Sequence, residues 1–442
     1  MKERPVITPR IQRVSITYFL ARILVERGVK RFHRIDVLSG MDNFPEKKRP
    51  FIMVGNHQNG MMDALNICGF TSRQFHWLTR ADVFWNPLVR KILLGFNQLP
   101  IYRQRDRLTD LRERNDIIWN SCIDRMEIGA PMALFPEGNH NPQRSIRDLK
   151  RGVSDLIGRA YTRHRSLDRM LLIPLGQDYE EYPSFRRRLA LRVGEPIEWI
   201  DLYDSVDQTI DHVLLNKRIS EALQKLTVNI QPASEYGTIE PYVRALRATE
   251  KTGEDWAEVT QELDRIKASA ENDAWLLELK ERHEALIAAG YENSMRPEAW
   301  GVSKDDSGTK NPLVYLLKPV GWLANLPSAV QHYLLEKKGN AVKKIEFRST
   351  FKVGAGIFLL PITWTIMASI VAWLLSSYEI TSYGIGFVGF WAWATWGNKF
   401  YGKLTDFYND HEDAVEGEGF WSSDKMSNLR EAWTNYIDAI KS

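Results

Sequence analysis

Apolar and polar positions alternate in two different ways along this chain. Between residues 30 and 200, short apolar runs alternate with longer stretches of helical period. Phe51–Val54, Met132–Phe135, Leu171–Pro174 and Leu189–Val193 predict strands. Asn86–Leu94, Leu108–Met126 and Leu149–Tyr161 predict helices. That alternation predicts an α/β domain, with a central, mostly parallel or mixed sheet flanked by helices. From 206 to 289 the pattern becomes long, charged and helical. Leu214, Leu215, Ile219, Leu223 and Leu226 share one spacing, and Trp256, Val259, Leu263 and Ile266 repeat it.

A third pattern lies near the C-terminus. No charged residue occurs from Val353 to Tyr378, and after Glu379 none occurs from Ile380 to Asn398. One straight helix over both runs would be roughly 70 Å long, against a hydrocarbon core of about 30 Å. The chain is therefore expected to turn back at Ser376-Ser377-Tyr378-Glu379 and form a two-helix transmembrane hairpin. Lys337, Lys338, Lys343, Lys344, Arg348 and Lys352 precede it, and Lys399 and Lys403 follow. Positive flanks stay on the cytoplasmic side, which predicts an integral membrane protein with both ends of the hairpin in the cytoplasm. In a bacterium that membrane would be the cell inner membrane. The competing reading is a buried helical hairpin of a soluble protein; the length and the absence of charge favour the membrane.

Two further segments read as bilayer-associated. Leu313–Leu326 is apolar but broken by Lys318-Pro319 and too short to span, so it is expected to be interfacial or re-entrant. Residues 10–25 mix Ile11, Val14, Tyr18, Phe19, Ile23 and Leu24 with Arg10, Arg13 and Arg22, a basic amphipathic helix that either lies on a bilayer or packs on the main domain. The expected organisation is an N-terminal amphipathic helix (1–29), the α/β domain (30–203), a helical extension (204–300), a linker and interfacial segment (301–352), the hairpin (353–398) and an acidic, exposed cytoplasmic tail (399–442).

Composition narrows the function. The net charge of +3 over 442 residues argues against a general polyanion binder, so nucleic acid is not an expected partner. The 15 tryptophans suit surfaces that are apolar on one side and wet on the other. Two cysteines, Cys68 and Cys122, make no disulfide framework and suggest a reducing compartment.

The candidate chemistry sits at the ends of the predicted strands. His57 follows the first strand, and Asp63 follows at the start of the next helix. On one regular helix the two would point to different faces; with His57 in the incoming loop they meet. A carboxylate that keeps one imidazole nitrogen protonated frees the other as a base for a hydroxyl. Alone, a loop histidine at this spacing is more often structural. Next comes Leu99-Pro100-Ile101-Tyr102-Arg103, whose guanidinium suits bidentate phosphate binding. In Phe135-Pro136-Glu137-Gly138-Asn139-His140, Glu137 can accept from polyol hydroxyls, and Gly138 permits close backbone approach. Leu149-Lys150-Arg151-Gly152 adds cations near a helix start.

His57 with Asp63, the Pro-Ile-Tyr-Arg run, Phe-Pro-Glu-Gly and Leu172-Ile173-Pro174-Leu175 stand in the order and spacing of the four blocks of glycerolipid acyltransferases, and residues 30–200 resemble that family. The resemblance implies an O-acyltransferase of phospholipid biosynthesis. His57 would be the general base, with Asp63 its orienting partner. Arg103 would bind the acceptor phosphate, and Glu137, Gly138 and Asn139 would hold the glycerol and phosphate part, helped by Lys150. The implied partners are membrane lipid, an acyl thioester donor (acyl-CoA or acyl carrier protein) and an acceptor, glycerol 3-phosphate or 1-acylglycerol 3-phosphate. No metal or redox cofactor is implied.

Two departures stand out. Five residues separate His57 from Asp63 where most of the family has four, as in a subgroup acting on glycerol 3-phosphate or dihydroxyacetone phosphate. Asn139-His140 also replaces the usual Thr-Arg, which leaves a phosphate contact to Lys150, Arg144 or Arg147. These departures motivate a second reading, a non-catalytic lipid-binding protein on the same fold. A metal-dependent hydrolase using His57, Asp63, Glu137 and His140 is the third; the 9 histidines show no tight ligand spacing.

Overall fold

A computed structural model describes residues 7, 16–46, 48–71, 73–246 and 256–442. Of the expected N-terminal amphipathic helix, residues 1–6 and 8–15 lie outside the described residues; the helix α1 covers Ile16–Phe32. The chain forms two compact units. The first takes the N-terminal segment up to Lys30, Leu38–Asp178 and Ala190–Thr227; the second takes Arg31–Val37, Tyr179–Leu189 and Val228–Ser442.

The sheet has seven strands: β1 (Arg34–Ser39), β2 (Phe51–Gly55), β3 (His76–Arg80), β4 (Gln98–Ile101), β5 (Met132–Leu134), β6 (Leu171–Tyr179) and β7 (Arg188–Val193). Their order is β1-β7-β6-β2-β5-β3-β4. The pairings from β6 through β2, β5 and β3 to β4 are parallel. Every residue of β2 is buried, which is why Phe-Ile-Met-Val reads as a continuous apolar run rather than an alternation. Three strands have no such run. β1 and β4 are edge strands, and β3 reads His-Trp-Leu-Thr-Arg, so their pairing comes from the sheet and not from local pattern.

Helices α2 (Met61–Phe70), α3 (Pro87–Gly95), α4 (Leu111–Glu127), α5 (Gly152–Arg163) and α6 (His212–Leu226) complete the first unit. α3 starts where Asn86 accepts from the Leu88 and Val89 amides with Pro87 next in line, and α6 starts on Asp211 in the same way. Leu215, Ile219 and Leu223, one face of α6, are fully buried in the core with Ile118, Met126, Leu156 and Leu172. The charged extension expected from residue 204 therefore divides: α6 belongs to the α/β core, because its apolar stripe repeats every fourth residue.

The second unit is helical: α7 (Tyr236–Leu246), α8 (Trp256–Ser269), α9 (Asp273–Ala288), α10 (Pro297–Trp300), α11 (Leu313–Asn325), α12 (Ala329–Asn340), α13 (Arg348–Ser377), α14 (Tyr383–Ser422) and α15 (Ser427–Lys441). Its core joins Val259, Leu263 and Ile266 of α8 to Leu429, Trp433, Tyr436 and Ile440 of α15. This corrects the exposed acidic tail expected from composition. Residues 399–422 continue α14, and α15 packs into the core. The acids lie on other faces, where Asp406, Asp410 and Asp413 pair with Arg186, Arg34 and Arg187.

The chain reverses between α13 and α14, where Glu379 takes a φ of 55°. Among the described residues, one helical stretch, Ile345–Ser377, is long and apolar enough to cross a membrane, with mean hydropathy 2.0 over its most apolar window. The start of α14 is free of charge but rich in Gly, Trp and Tyr, and it falls short of that apolarity.

Candidate functional site

β2 ends at Gly55, and the chain passes through Asn56, His57, Gln58 and Asn59 before α2 begins. Asn56 ties this loop to the neighbouring strand: its side chain donates to the Gln177 carbonyl at 2.9 Å and accepts from the Gln177 amide at 2.8 Å. The turn into α2 needs a φ of 53° at Gly60, a conformation that side chains rarely adopt. Asp63 then falls in the first turn of α2, where the exposed amides of a helix N-terminus favour negative charge.

The Asp63 carboxylate is fully buried. Its Oδ2 accepts from the Gln58 amide (2.9 Å), the Asn59 amide (2.9 Å) and His57 Nδ1 (2.8 Å). An ionised acceptor orders the imidazole with its proton on Nδ1, which assigns the lone pair to Nε2. The His57 side chain is 16% exposed, and no group among the described residues hydrogen-bonds to Nε2.

Two rings fix the plane of the imidazole. Phe135, the residue after β5, stacks on it at 4.2 Å with 6° between the planes, and Trp77 of β3 lies behind Phe135 at 5.5 Å. His140 meets the His57 ring edge-on at 5.6 Å.

The loop after β5 also holds the His57 backbone. Glu137 Oε1 accepts from the His57 amide at 3.0 Å, and the Asn141 amide donates to the His57 carbonyl at 3.1 Å. The turn closes through Gly138, at φ 77°, and the Lys150 amide returns to the Pro136 carbonyl at 2.8 Å. Glu137 is buried, and burial pushes its carboxyl above the ordinary glutamate range; the Arg147 guanidinium paired with it acts in the opposite direction. Arg147 also donates to Asn139 Oδ1 at 2.6 Å.

The structure therefore brings together His57, Asp63, Glu137, Gly138 and Asn139. Lys150 is exposed beside Gly138. Arg103 stands apart, after β4 and two strands beyond β5, with its guanidinium 3.5 Å from Asp82. Asp82 also holds Arg80, whose hydrogen bonds keep that carboxyl below the usual range. All of these residues follow the carboxyl ends of parallel strands, the edge at which open α/β sheets bind ligands.

Sequence reading missed two features. Arg147 stood among free phosphate contacts, whereas it spans Glu137 and Asn139; only the fold shows that a residue eight positions on returns to Asn139. Phe135 passed as the end of a strand, and an aromatic at that point was the available signal for a stack. The three-residue group Asp124, Glu127 and His164, with Arg163 paired to Asp124, lies on α4 and at the end of α5, away from this loop cluster.

Residues 36–175 match the family model described as Acyltransferase. The chain is 22% identical over 136 residues to a chloroplastic 1-acyl-sn-glycerol-3-phosphate acyltransferase of Arabidopsis thaliana, covering 31% of this chain and 36% of that protein. It is 31% identical over 128 residues to an uncharacterized acyltransferase of Schizosaccharomyces pombe, covering 28% of this chain and 18% of that one. The chain thus spans about a third of the length of the plant relative and less of the yeast one. Among solved structures, the 1-acyl-sn-glycerophosphate acyltransferase of Thermotoga maritima aligns with a TM-score of 0.35 at 18% identity, over 48% of this chain and 81% of that one. On the family match and the relatives' sequences, residues 36–175 of this chain are similar to the domain of the acyltransferase family.

Proposed function

We propose that this protein is a membrane-bound O-acyltransferase that moves a fatty acyl group from acyl-CoA or acyl carrier protein to a hydroxyl of glycerol 3-phosphate or 1-acylglycerol 3-phosphate. The single observation that carries the reading is the buried Asp63 carboxylate at 2.8 Å from His57 Nδ1, with Nε2 on the open side. In this mechanism Nε2 takes the proton of the acceptor hydroxyl as its oxygen attacks the thioester carbon. A C–O bond forms, the C–S bond breaks, and the thiolate leaves with the proton from the imidazolium. Asp63 keeps the ring in one tautomer and stabilises its charged form.

Arg103, Lys150 and the Asn139–Arg147 pair supply the cationic side that a phosphorylated acceptor needs. Glu137 is given two tasks: holding the His57 loop and accepting from an acceptor hydroxyl. The thioester is a co-substrate, and the reaction calls for no further cofactor.

The membrane part of the proposal rests on α13. Only 17% of its most apolar window is buried inside the protein, so it is not a core helix of a soluble fold. Its hydroxyls are satisfied internally: Thr363, Thr365, Ser369 and Ser377 each donate to the carbonyl four residues earlier. That is how hydroxyls are accommodated where no water is present. The charge-free start of α14 makes the return crossing, and the lysines at both flanks put the catalytic domain on the cytoplasmic side.

Purified protein in detergent, given a labelled long-chain acyl thioester and a panel of acceptors, tests the proposal. Transfer to glycerol 3-phosphate or lysophosphatidate is expected, and His57→Ala is expected to lower it about 10²- to 10⁴-fold with melting unchanged. Undiminished transfer by that variant removes His57 from the mechanism. Lipid binding with no thioester consumption by the native protein overturns the enzymatic reading.

A further inference from the structure

Helices α11 and α12 form a second hairpin whose position is fixed by its neighbours along its whole length. α11 runs antiparallel to α14: Ala324 packs on Gly397, Gly321 on Leu404 and Tyr408, and the Tyr408 hydroxyl donates to the Leu317 carbonyl at 2.9 Å. Glycines at both close approaches let the backbones meet, as in helix pairs within membranes. α12 then returns antiparallel to α13: Gln331 lies at Thr363, Leu335 at Gly356, and Gly339 at Lys352. The tip, Leu326-Pro327-Ser328, is level with Trp364. Lys352 is the last charge before the apolar run of α13, and Trp364 lies twelve residues beyond it. At 1.5 Å per residue the tip stands about 18 Å past that charge, beside a hydrocarbon core about 30 Å thick.

We propose that α11–α12 is a re-entrant hairpin that enters the bilayer from the side of Lys352, reaches about its middle, and returns to the same side. The inference rests on the membrane reading of α13.

Three observations carry it. The non-helical backbone of the tip is enclosed in protein: Pro327 and Ser328 are buried, and Gln331 caps the Pro327 carbonyl at 3.1 Å. Two polar side chains at the tip face inward and pair with α13, Gln331 with the Thr363 hydroxyl at 2.9 Å and Ser328 with the Trp364 indole at 3.0 Å. Irregular backbone at membrane depth is tolerated only on those terms. The outward side is apolar, with Trp322, Leu323, Leu326 and Val330 exposed in line with Ile362 and Ile366 of α13. The nearby lysines lie below the tip: Lys318 two turns down α11, Lys399 two residues past the Gly397–Ala324 contact on α14, and Lys337 and Lys338 at the level of Lys352. Long lysine stems at such positions reach back to the interface.

Depth-dependent quenching tests the proposal. Single cysteines replace Leu326, Val330 and Ile366, all exposed side chains, and carry an environment-sensitive fluorophore. The parent, with Cys122 buried and Cys68 half-buried, is the labelling control. The full chain is reconstituted in phosphatidylcholine–phosphatidylglycerol vesicles containing phosphatidylcholine brominated high or low on its acyl chains. All three labels are expected to be quenched most by the deeply placed bromine. Leu313→Cys and Lys343→Cys are expected to react to the same extent with an impermeant maleimide added outside. Quenching at position 366 but not at 326 and 330 overturns the re-entrant hairpin and leaves the membrane reading intact. Reaction of 313 and 343 from opposite faces overturns it in favour of a spanning segment. No quenching at 366 removes the membrane reading, and the hairpin with it.

Discussion

The two units spend their buried polar groups differently. In the α/β unit Arg192 and Asp178 form a closed pair at 2.9 Å, but two other buried carboxylates, Asp63 and Glu137, meet at the His57 loop. Asp63 is held by two backbone amides and an imidazole, Glu137 by a third amide and Arg147, and one nitrogen, His57 Nε2, stays open to solvent. In the helical unit buried and half-buried arginines pair with carboxylates. Arg244 makes a two-pronged bridge to Glu298 at 2.9 and 3.0 Å, Arg187 meets Asp413 at 2.6 Å, and Arg296 meets Glu181 at 2.9 Å. These bridges are closed on themselves. Chemistry is expected where a buried carboxylate is held by the backbone and its partner keeps a free lone pair.

Asp63→Asn breaks the comparison most directly. An asparagine keeps the shape and can still accept from the two amides, but it presents no carboxylate to Nδ1. Transfer is expected to fall about 10²- to 10⁴-fold in kcat with KM little changed. Steady-state kinetics on folded protein decide it; a change confined to KM would make Asp63 a binding residue only. The matching change in the helical unit is Trp433→Phe. Trp433 is fully buried, edge-on to Trp300 at 5.5 Å, and its loss is expected to cost about 2 kcal/mol of stability. Melting in detergent is expected to drop while transfer per folded molecule holds. Lost transfer at intact folding would show that the helical unit takes part in the chemistry.

How far the sequence carried depends on whether a feature is local. β2 and β6 were legible because central parallel strands are apolar on both faces, and α13 because 26 residues without charge have few other uses. The His57–Asp63 pair was legible because strand end, loop and helix start lie within nine residues. β1, β3 and β4 were not, since β1 and β4 are edge strands and β3 reads His-Trp-Leu-Thr-Arg, so none carries a continuous apolar run. Nor was α15: acidic residues dominate the composition of 399–442, while burial is set by Leu429, Trp433, Tyr436 and Ile440 at helical spacing. Arg147 escaped because its carboxylate partner is ten residues away and an arginine in a basic loop reads as solvated.

Buried histidines in the two units allow a further comparison. His76 in the α/β unit and His33 in the helical unit are both held down to about 3, chiefly by burial and further by Arg125 and Arg186 respectively. Unfolded histidines take up protons below about 6.5, whereas these do not until about 3. The unfolded chain binds more protons across that window, so stability is full above it and falls with pH, by roughly 1.4 kcal/mol per unit for each group. Denaturant titrations of His76→Gln and His33→Gln from pH 7 to pH 4.5 are each expected to show a shallower slope than the parent. An unchanged slope would remove that histidine from the acid sensitivity of its unit.

The smallest effect sharpens the comparison most. Asp63 fixes one direction in the plane of the His57 ring; Phe135 fixes the plane itself, and Trp77 backs Phe135 from the far side. With the plane set, Nε2 points one way; without it, the ring can rotate about the line to Asp63 and still keep that hydrogen bond. Phe135→Leu retains an apolar side chain but no flat face. A stack of this kind is worth about 0.5–1.5 kcal/mol, so kcat is expected to fall about two- to ten-fold with KM unchanged, whereas Phe135→Tyr, which keeps the face, is expected to recover most of the rate. If leucine and tyrosine perform alike, the carboxylate alone orients the base. If leucine raises KM instead, the ring is a wall of the acceptor site and not a support for the imidazole.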